Sequence, residues 1–183
     1  MNKIFLTYLA LASAVLTFGQ GQKYFTRDAV ITFTSDAPME KIVSSNKEVN
    51  IIIDPSTSSM AVKVVMKSFA FDKQAMKDHF NADYLQTDQY PNATFEGKIL
   101  NLKDWTQNGT YTVVADGNLT IHGVTKPVKA NGQVVIQNGK ISVSANFNIQ
   151  LKDYKVPVPS NYISKISQTI QLKVNGTLIP YQR

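Results

Sequence analysis

The sequence contains no cysteine among its 183 residues, so the folded chain has no disulfide bonds and no thiolate ligand or nucleophile. Histidine is almost as scarce, since His79 and His122 are the only two. Neither lies in an H-x-H or H-x-x-x-H pattern, although Asp78, Asp83 and Asp116 provide oxygen atoms nearby in the sequence. The sequence therefore predicts no metal site, and it predicts that stability comes from an apolar core.

Recognisable catalytic motifs are also missing. None of the serines lies in a G-x-S-x-G elbow, and the sequence places no histidine beside a serine. Pairs of carboxylates that meet only in the folded chain cannot be read from a sequence. Most Asp and Glu side chains, however, fall on the outward side of predicted strands. We therefore predict a protein without enzymatic activity and without a cofactor.

Positive charge is in excess but is not clustered. The chain has 19 Lys and Arg against 13 Asp and Glu, for a net charge of +6. Nucleic-acid surfaces need grouped cations, so no nucleic-acid partner is expected. A mildly cationic surface instead favours transient contact with an anionic membrane surface. The sequence leaves open whether the chain is a monomer or a homodimer.

The first 19 residues have the three-part layout of a secretory signal peptide. Lys3 precedes a mainly apolar run from Ile4 to Phe18, and small or polar residues follow. This run is shorter than the roughly 20 residues that a membrane-spanning helix needs. We expect cleavage near Gly19–Gln20, which leaves residues 20–183 as a single domain in the periplasm or outside the cell.

Alternation of apolar and polar residues dominates the rest of the chain. A clear run extends from Tyr111 to Ile121, and Asn138–Gly139 between two such runs is typical of a two-residue hairpin. The pattern predicts about eight strands, several of them long, with little helix to cover them. An all-β antiparallel barrel is therefore favoured, with a sandwich as the alternative. One short helix is predicted from Lys73 to about Phe80, with Asp72 as its N-cap.

The inward-facing rows contain small residues in mid-strand, where bulkier ones would pack better. These residues are Gly97, Ala115, Gly117, Ala130, Gly132, Ala145 and Gly176. Two explanations remain open. Glycines let strands coil tightly enough to close a barrel. Short side chains also leave a cavity, and barrels of about eight strands have the size at which the interior is either filled or holds one small ligand.

Two segments carry a more specific pattern. "AMKDHFNADYLQTDQYPNATFEGKI", from Ala75 to Ile99, joins a helix ending in histidine to YP-x-x-x-F. "YTVVADGNLTIHGVTKPVKANG", from Tyr111 to Gly132, contains G-x-L-T-x-x-G-V-T-x-P-V. Together they resemble the YceI family, as does the closing segment from Phe147 to Leu178. The matching residues are His79, Tyr84, Tyr90, Pro91, Phe95, Gly117, Leu119, Thr120, Gly123, Val124, Thr125, Pro127 and Val128.

The resemblance implies an elongated, lipocalin-like antiparallel barrel of eight strands, with the short helix near one mouth. It also implies a tunnel for an amphiphilic chain such as a polyisoprenoid, an isoprenoid quinone or a fatty acyl derivative, and a family that is not known as a set of enzymes. The strands predicted between Tyr24 and Ile53 match weakly and look shortened, which leaves the depth of the tunnel open.

The apolar rows then provide the predicted lipid-binding wall, and the helix with its neighbours provides the mouth. The wall comprises Phe33, Val62, Val64, Met66, Phe95, Gly97, Tyr111, Val113, Ala115, Gly117, Leu119, Ala130, Gly132, Val134, Ala145, Phe147 and Leu172. The mouth, facing a lipid headgroup, comprises Lys77, His79, Phe80, Tyr84 and His122. We expect His79 to bond backbone and to hold the helix as a lid, while Tyr90–Pro91 sets an extended chain before the next strand. The alternative is that the aromatic residues of this segment only plug the end of the barrel.

Two other kinds of protein would show the same alternation of apolar and polar residues. An outer-membrane barrel would turn its apolar row toward lipid, but here that row is rich in small residues, which make a poor lipid-facing surface. A structural or stress-related module without a ligand would fill its interior with large side chains such as Phe33, Phe95, Tyr111 and Phe147. Whether the barrel is hollow therefore separates the lipid carrier from the module.

Overall fold

The structure is a computed structural model that describes residues 21–181. The predicted signal peptide over residues 1–19 and its cleavage point lie outside the described residues. The eight strands are β1 (Tyr24–Asp36), β2 (Lys41–Asp54), β3 (Ser59–Val65), β4 (Asn92–Leu100), β5 (Gly109–Ile121), β6 (Val124–Gln137), β7 (Lys140–Gln150) and β8 (Thr169–Pro180). No helix within residues 21–181 is long and apolar enough to cross a membrane.

The strands form a closed barrel in which each pairs antiparallel with the next and β8 pairs back with β1. Period-two alternation produces this closure, because each strand turns one apolar row inward and its polar row outward. The barrel predicted from the sequence is confirmed, and the sandwich alternative is wrong.

The first two strands correct an expectation. β1 and β2 have 13 and 14 residues, so they are not shortened. Their pairing shifts register between Thr26 and Ala29 and again between Ala29 and Ile31. Such bulges add an unpaired residue and move the following side chains to the opposite face. The break in alternation made full-length strands look short.

The helix α1 (Gln74–His79) is shorter than predicted and continues into a π-helical turn, Phe80–Tyr84. Asp72 is not its N-cap, because Lys73 occupies that position and no side chain caps the helix. The helix therefore starts without the bond that a cap normally provides, worth about 1 kcal/mol. Packing of its apolar face has to hold it in place.

The connections divide between two ends of the barrel. The end that we call closed carries the β2–β3 turn, the β4–β5 connection and the β6–β7 hairpin. Trp105 and Leu102, from the β4–β5 connection, are buried there. The largest fully buried side chains include Ile51, Ile53, Ile141 and Leu178. Burying each of these contributes about 1.5–3 kcal/mol, so this end is the solid core of the fold.

The opposite end, which we call the open end, carries the other four connections, two of which are long. They are the β1–β2 turn, residues 66–91 with α1, the two-residue β5–β6 turn, and residues 151–168. The last segment contains two short 3₁₀ turns, Leu151–Tyr154 and Ser160–Tyr162. Loops of this length can cover an opening without adding a strand, and they form the surroundings of the site below.

Candidate functional site: an apolar cavity beneath the helical segment

A cavity of about 370 Å³ occupies the barrel between the closed-end core and the open end. This volume falls within the range of about 300–1,000 Å³ that is typical of ligand pockets. Its wall is almost entirely apolar and draws side chains from all eight strands. Polar groups such as Glu40, His79 and Lys165 are among the few exceptions, and they come from the open end.

Most of the predicted wall residues line this cavity. They are Phe33, Val62, Val64, Met66, Phe95, Val113, Ala115, Leu119, Ala130, Gly132, Val134, Ala145, Phe147 and Leu172. Phe33, Phe95 and Phe147 line the space and do not fill it, which differs from the packed interior expected for a ligand-free module. The barrel is therefore hollow in its upper part.

Three of the predicted wall residues lie outside the cavity, namely Gly97, Gly117 and Tyr111. Gly97 and Gly117 face each other across β4 and β5, and an added Cβ on either would lie 2.3 Å from a backbone oxygen of the partner strand. Tyr111 instead donates its hydroxyl to the Gln107 carbonyl at 3.1 Å, in the β4–β5 connection. Its ring belongs to the closed end.

The small residues serve both of the uses left open by the sequence. Ala115, Ala130 and Ala145 line the cavity, and the space would be smaller with larger side chains there. Gly132 lines it too, but a Cβ at that position would also lie 2.4 Å from the Ser144 carbonyl oxygen. Gly132 thus permits a close strand approach and widens the cavity at the same point.

An aromatic cluster connects the helical segment to the barrel. The ring of Phe80 stacks on Phe33 of β1, with centroids 5.8 Å apart and planes 9° apart. Phe69 and Phe71 pack against both rings at centroid distances of 5.0–6.0 Å. All four residues line the cavity. The cluster is therefore both the attachment of the helical segment and the ceiling of the cavity.

His79 does not play the predicted bracing role. Its Nδ1 lies 2.6 Å from the Asp83 carboxylate one turn further along, and both side chains are mostly exposed. The residue lines the cavity, but its contact stays within its own helical segment. Lys77 does not line the cavity. Both residues fall on faces of the short helix that the sequence alone could not orient.

His122 provides the brace instead, and it also lies outside the cavity wall. Its Nδ1 donates to the Tyr154 carbonyl at 3.2 Å, and its Nε2 lies 3.2 Å from the Gln86 side-chain oxygen. The Tyr90 ring packs edge-on against the imidazole, with centroids 4.7 Å apart. One side chain in the β5–β6 turn thus joins residues 66–91 to residues 151–168.

The turn that presents His122 depends on Gly123. Both residues have positive φ, at 51° and 71°, as a two-residue hairpin of the primed type requires. A Cβ at Gly123 would also lie 2.5 Å from the Tyr90 ring. His122 and Gly123 therefore form the turn, and the missing side chain of Gly123 leaves room for the ring of Tyr90.

Two tyrosines lie where the cavity meets the open end. Burial raises the pKa of Tyr84 above its ordinary value, with smaller contributions from Tyr162 and Asp83. Burial likewise raises the pKa of Tyr154, helped by Asp153. Both phenols line the cavity, so neutral hydrogen-bond donors border its apolar wall.

Sequence reasoning missed the contribution of residues 151–168. Tyr154, Val156, Tyr162 and Ile166 from this segment all line the cavity. The available signal was the recurrence of apolar residues in a stretch rich in proline and serine, where a solvated loop would be polar. A second, smaller space of about 190 Å³ adjoins this segment, lined by His79, Asp83, Tyr84, Pro157, Pro159 and Tyr162.

Titratable side chains do not form a metal centre in the described part of the chain. No group of three or more His, Asp or Glu is placed to hold an ion among residues 21–181. His79 with Asp83 is a pair only. The site consists of apolar surface with isolated polar groups at its rim.

Solved structures with the same fold include three bacterial proteins. A polyisoprenoid binding domain from Saccharophagus degradans, implicated in plant cell wall breakdown, has a TM-score of 0.76 at 13% identity, over 87% of this chain and 98% of its own. BcnA from Burkholderia cenocepacia has a TM-score of 0.67 at 18% identity, over 82% and 95%. The Campylobacter jejuni YCEI protein has a TM-score of 0.57 at 19% identity, with both chains fully covered.

Comparison of sequences gives the family. No curated protein matches the chain significantly. The model of the YceI-like domain matches residues 26–178, which includes all of the barrel from the first bulge of β1 to near the end of β8. The match covers both the helix-to-YP segment and the G-x-L-T-x-x-G-V-T-x-P-V strand pair, and the chain belongs to the YceI-like family.

Proposed function

We propose that the protein binds the apolar tail of an amphiphilic lipid inside its barrel and does not catalyse a reaction on it. The observation that carries this proposal is the apolar cavity of about 370 Å³ that extends from the closed-end core to the open end. Polar side chains that could perform chemistry are almost absent from its wall. A space of this kind suits a hydrocarbon chain better than any polar substrate.

The driving force is removal of the tail from water. Each buried methylene contributes about 0.8 kcal/mol, so a tail of several carbons binds without any directed polar contact. Selection then depends on the girth and length of the chain. Small wall residues such as Ala115 and Ala145 leave room where a branched, isoprenoid-type chain needs width.

The lipid headgroup would stay at the open end. Tyr84 and Tyr162 offer phenol groups there, and Lys165 and Glu40 offer one charge of each sign. Of the predicted mouth residues, His79, Phe80 and Tyr84 lie on the cavity wall. Lys77 and His122 do not, so we propose no direct headgroup contact for them.

The name of one relative supports the ligand class. The Saccharophagus degradans domain is described as polyisoprenoid binding, and it shares this fold. With the predicted signal peptide, this favours transport, storage or sequestration of a polyisoprenoid, isoprenoid quinone or fatty acyl lipid outside the cytoplasm.

The test is to purify the protein from its native host without detergent and to analyse an organic extract by mass spectrometry. We expect one hydrophobic compound at near-stoichiometric amount, together with recovery in the periplasmic or secreted fraction. A clean extract, combined with no binding of long-chain isoprenoid or acyl probes to the purified protein, would contradict the proposal.

A further inference from the structure

Apolar side chains protrude into solvent beside the opening of the cavity. Met39 in the β1–β2 turn is 70% exposed, Ile163 is 52% exposed, and the neighbouring Tyr162 is 40% exposed. We call Met39, Tyr162 and Ile163 the rim patch. Side chains of this size at such exposure cost free energy in water, and they are usually explained by a partner when they occur together.

Two loops hold the rim patch together. The backbone N–H of Met39 donates to the Ser164 carbonyl at 2.9 Å, and the Ser167 N–H donates to the Ser35 hydroxyl at 2.9 Å. The β1–β2 turn and residues 160–167 therefore lie side by side. Both loops also line the cavity, through Glu40 and Lys165. The patch thus borders the opening through which a ligand would pass.

The segment that carries Tyr162 and Ile163 has basic side chains and no acidic ones. Residues 155–168 contain Lys155 and Lys165 and no carboxylate, and Lys41 stands at the start of β2. Three carboxylates lie nearby: Asp36 and Glu40 flank the β1–β2 turn, with Glu40 on the cavity wall, and Asp83 lines the smaller space beside Tyr162, where it contacts His79. Within residues 21–181, neither Lys155 nor Lys165 forms an ion pair. Protruding apolar groups flanked by lysines match an interface of acyl chains beneath anionic headgroups.

We propose that the rim patch seats the open end of the barrel on the surface of a lipid bilayer that contains anionic lipids. Met39 and Ile163 insert among the headgroups, Tyr162 lies at the polar boundary, and Lys41, Lys155 and Lys165 face the phosphates. This inference rests on the proposed function, since docking in this orientation lets a tail move between bilayer and cavity without crossing water. It adds the partner surface and the residues that recognise it.

A second apolar patch provides an internal reference. Phe25 pairs with Ile52 on one side and with Ile179 on the other, and the ring of Tyr181 packs edge-on against Phe25. Ile179 is 49% exposed, nearly the same as Ile163. This patch lies on the outer wall at the closed end, away from the opening. A substitution at Ile179 therefore removes equal apolar surface without touching the rim patch.

The experiment measures co-sedimentation of the protein with vesicles of phosphatidylcholine, with and without phosphatidylglycerol. The variants are Met39→Asp, Ile163→Asp and the matched control Ile179→Asp. We expect binding to the mixed vesicles, with a loss of about tenfold or more in the partition coefficient for the two rim variants. We expect the control to bind like the unsubstituted protein, and we expect added salt to weaken binding.

Two outcomes would overturn this docking surface. One is that the unsubstituted protein does not sediment with either kind of vesicle, and the other is that Ile179→Asp loses as much binding as Ile163→Asp. Binding of a fluorescent long-chain acyl probe in vesicle-free solution is measured in parallel on every variant. Unchanged probe binding with lost sedimentation separates the rim patch from the cavity, whereas absence of probe binding in all proteins contradicts the proposed function itself.

Discussion

Gly97 and Gly117 are direct partners across β4 and β5, and neither position has room for a side chain. A Cβ at Gly97 would lie 2.3 Å from the Asp116 carbonyl oxygen, and a Cβ at Gly117 would lie 2.3 Å from that of Glu96. The obstacle in both cases is backbone, which cannot move aside as a flexible side chain can. The absence of side chains at this pair therefore lets the two strands approach closely.

The first prediction concerns this pair. Gly97→Ala and Gly117→Ala should each lower the free energy of unfolding by about 2–4 kcal/mol, since the β4–β5 ladder must open to admit a methyl group. Urea denaturation measures the change. Gly139→Ala is the control, because that glycine has φ of 74° but no atom within 4 Å of the added Cβ. It should cost only about 1 kcal/mol, and an equal loss at all three positions would contradict the steric explanation.

The second prediction concerns the cavity. Ala130 is buried on its wall, so Ala130→Phe should occupy part of the space and weaken binding of a long-chain acyl or isoprenoid probe by about tenfold or more. Ala61→Phe is the matched control, because Ala61 is an exposed strand residue outside the wall. Fluorescence titration measures both. Equal affinities in the two variants, with both barrels folded, would show that the probe binds elsewhere.

The third prediction distinguishes the two histidines. His122→Ala removes the contacts with the Tyr154 carbonyl and Gln86, which should cost about 1–3 kcal/mol because a partly buried acceptor loses its donor. His79→Ala removes only an exposed pair with Asp83 and should cost less than about 0.5 kcal/mol. Thermal denaturation of both variants gives the comparison. A larger effect at His79 would restore the bracing role expected from the sequence.

The fourth prediction concerns alkaline pH. Burial raises the pKa of both Tyr84 and Tyr154, so the folded state keeps these protons at a pH where the unfolded chain, with a tyrosine pKa of about 10, has begun to lose them. Their contribution to stability is complete below about pH 10 and is lost as the pH rises through the folded-state values. Denaturation midpoints across this range should fall less steeply for Tyr84→Phe and Tyr154→Phe than for the unsubstituted protein. Equal slopes would contradict the assignment.

Two turns at the closed end should respond at acidic pH. The Ser56 hydroxyl, 2.5 Å from Asp54, lowers the pKa of that carboxyl, and the Thr106 hydroxyl does the same for Asp104. Because both folded-state values lie below the ordinary 3.8, this contribution to stability is present above about pH 4 and is lost as the pH falls further. Ser56→Ala should reduce the acid dependence of the denaturation midpoint, while Thr57→Ala, in the same turn, should leave it nearly unchanged.

The barrel could be predicted because alternation is a property of each strand by itself. Strands such as β5, with Val113 and Leu119 facing inward, needed no knowledge of their partners. β1 and β2 were harder, since the register shifts between Thr26 and Ile31 depend on how the two strands pair and break the pattern locally. The predicted cap at Asp72 failed for a related reason, because the chain enters α1 one residue later than its composition suggests.

The surroundings of the cavity were less accessible from the sequence. Which histidine braces the open end depends on residues 36 and 32 positions away in the chain, Gln86 and Tyr154, that meet only after folding. The loop residues Tyr162 and Lys165 line the cavity because residues 151–168 fold back over the opening. The sequence of this segment has no periodic pattern that would predict this position. Alternation within each strand thus predicts the barrel wall, whereas the loops at the open end are positioned by long-range contacts that a sequence pattern does not contain.

Trp105 and Leu102 are buried at the closed end, below the cavity. Their position limits the route by which a ligand could enter and leave. If a lipid occupies the cavity as proposed, these buried side chains leave it only the open end, so it would enter tail first and leave tail last by the same route. A carbon chain longer than the cavity would extend past the phenylalanine cluster into solvent. Other macromolecules could bind that exposed part. Delivery would then begin at the protruding end of the cargo, before the barrel itself has changed.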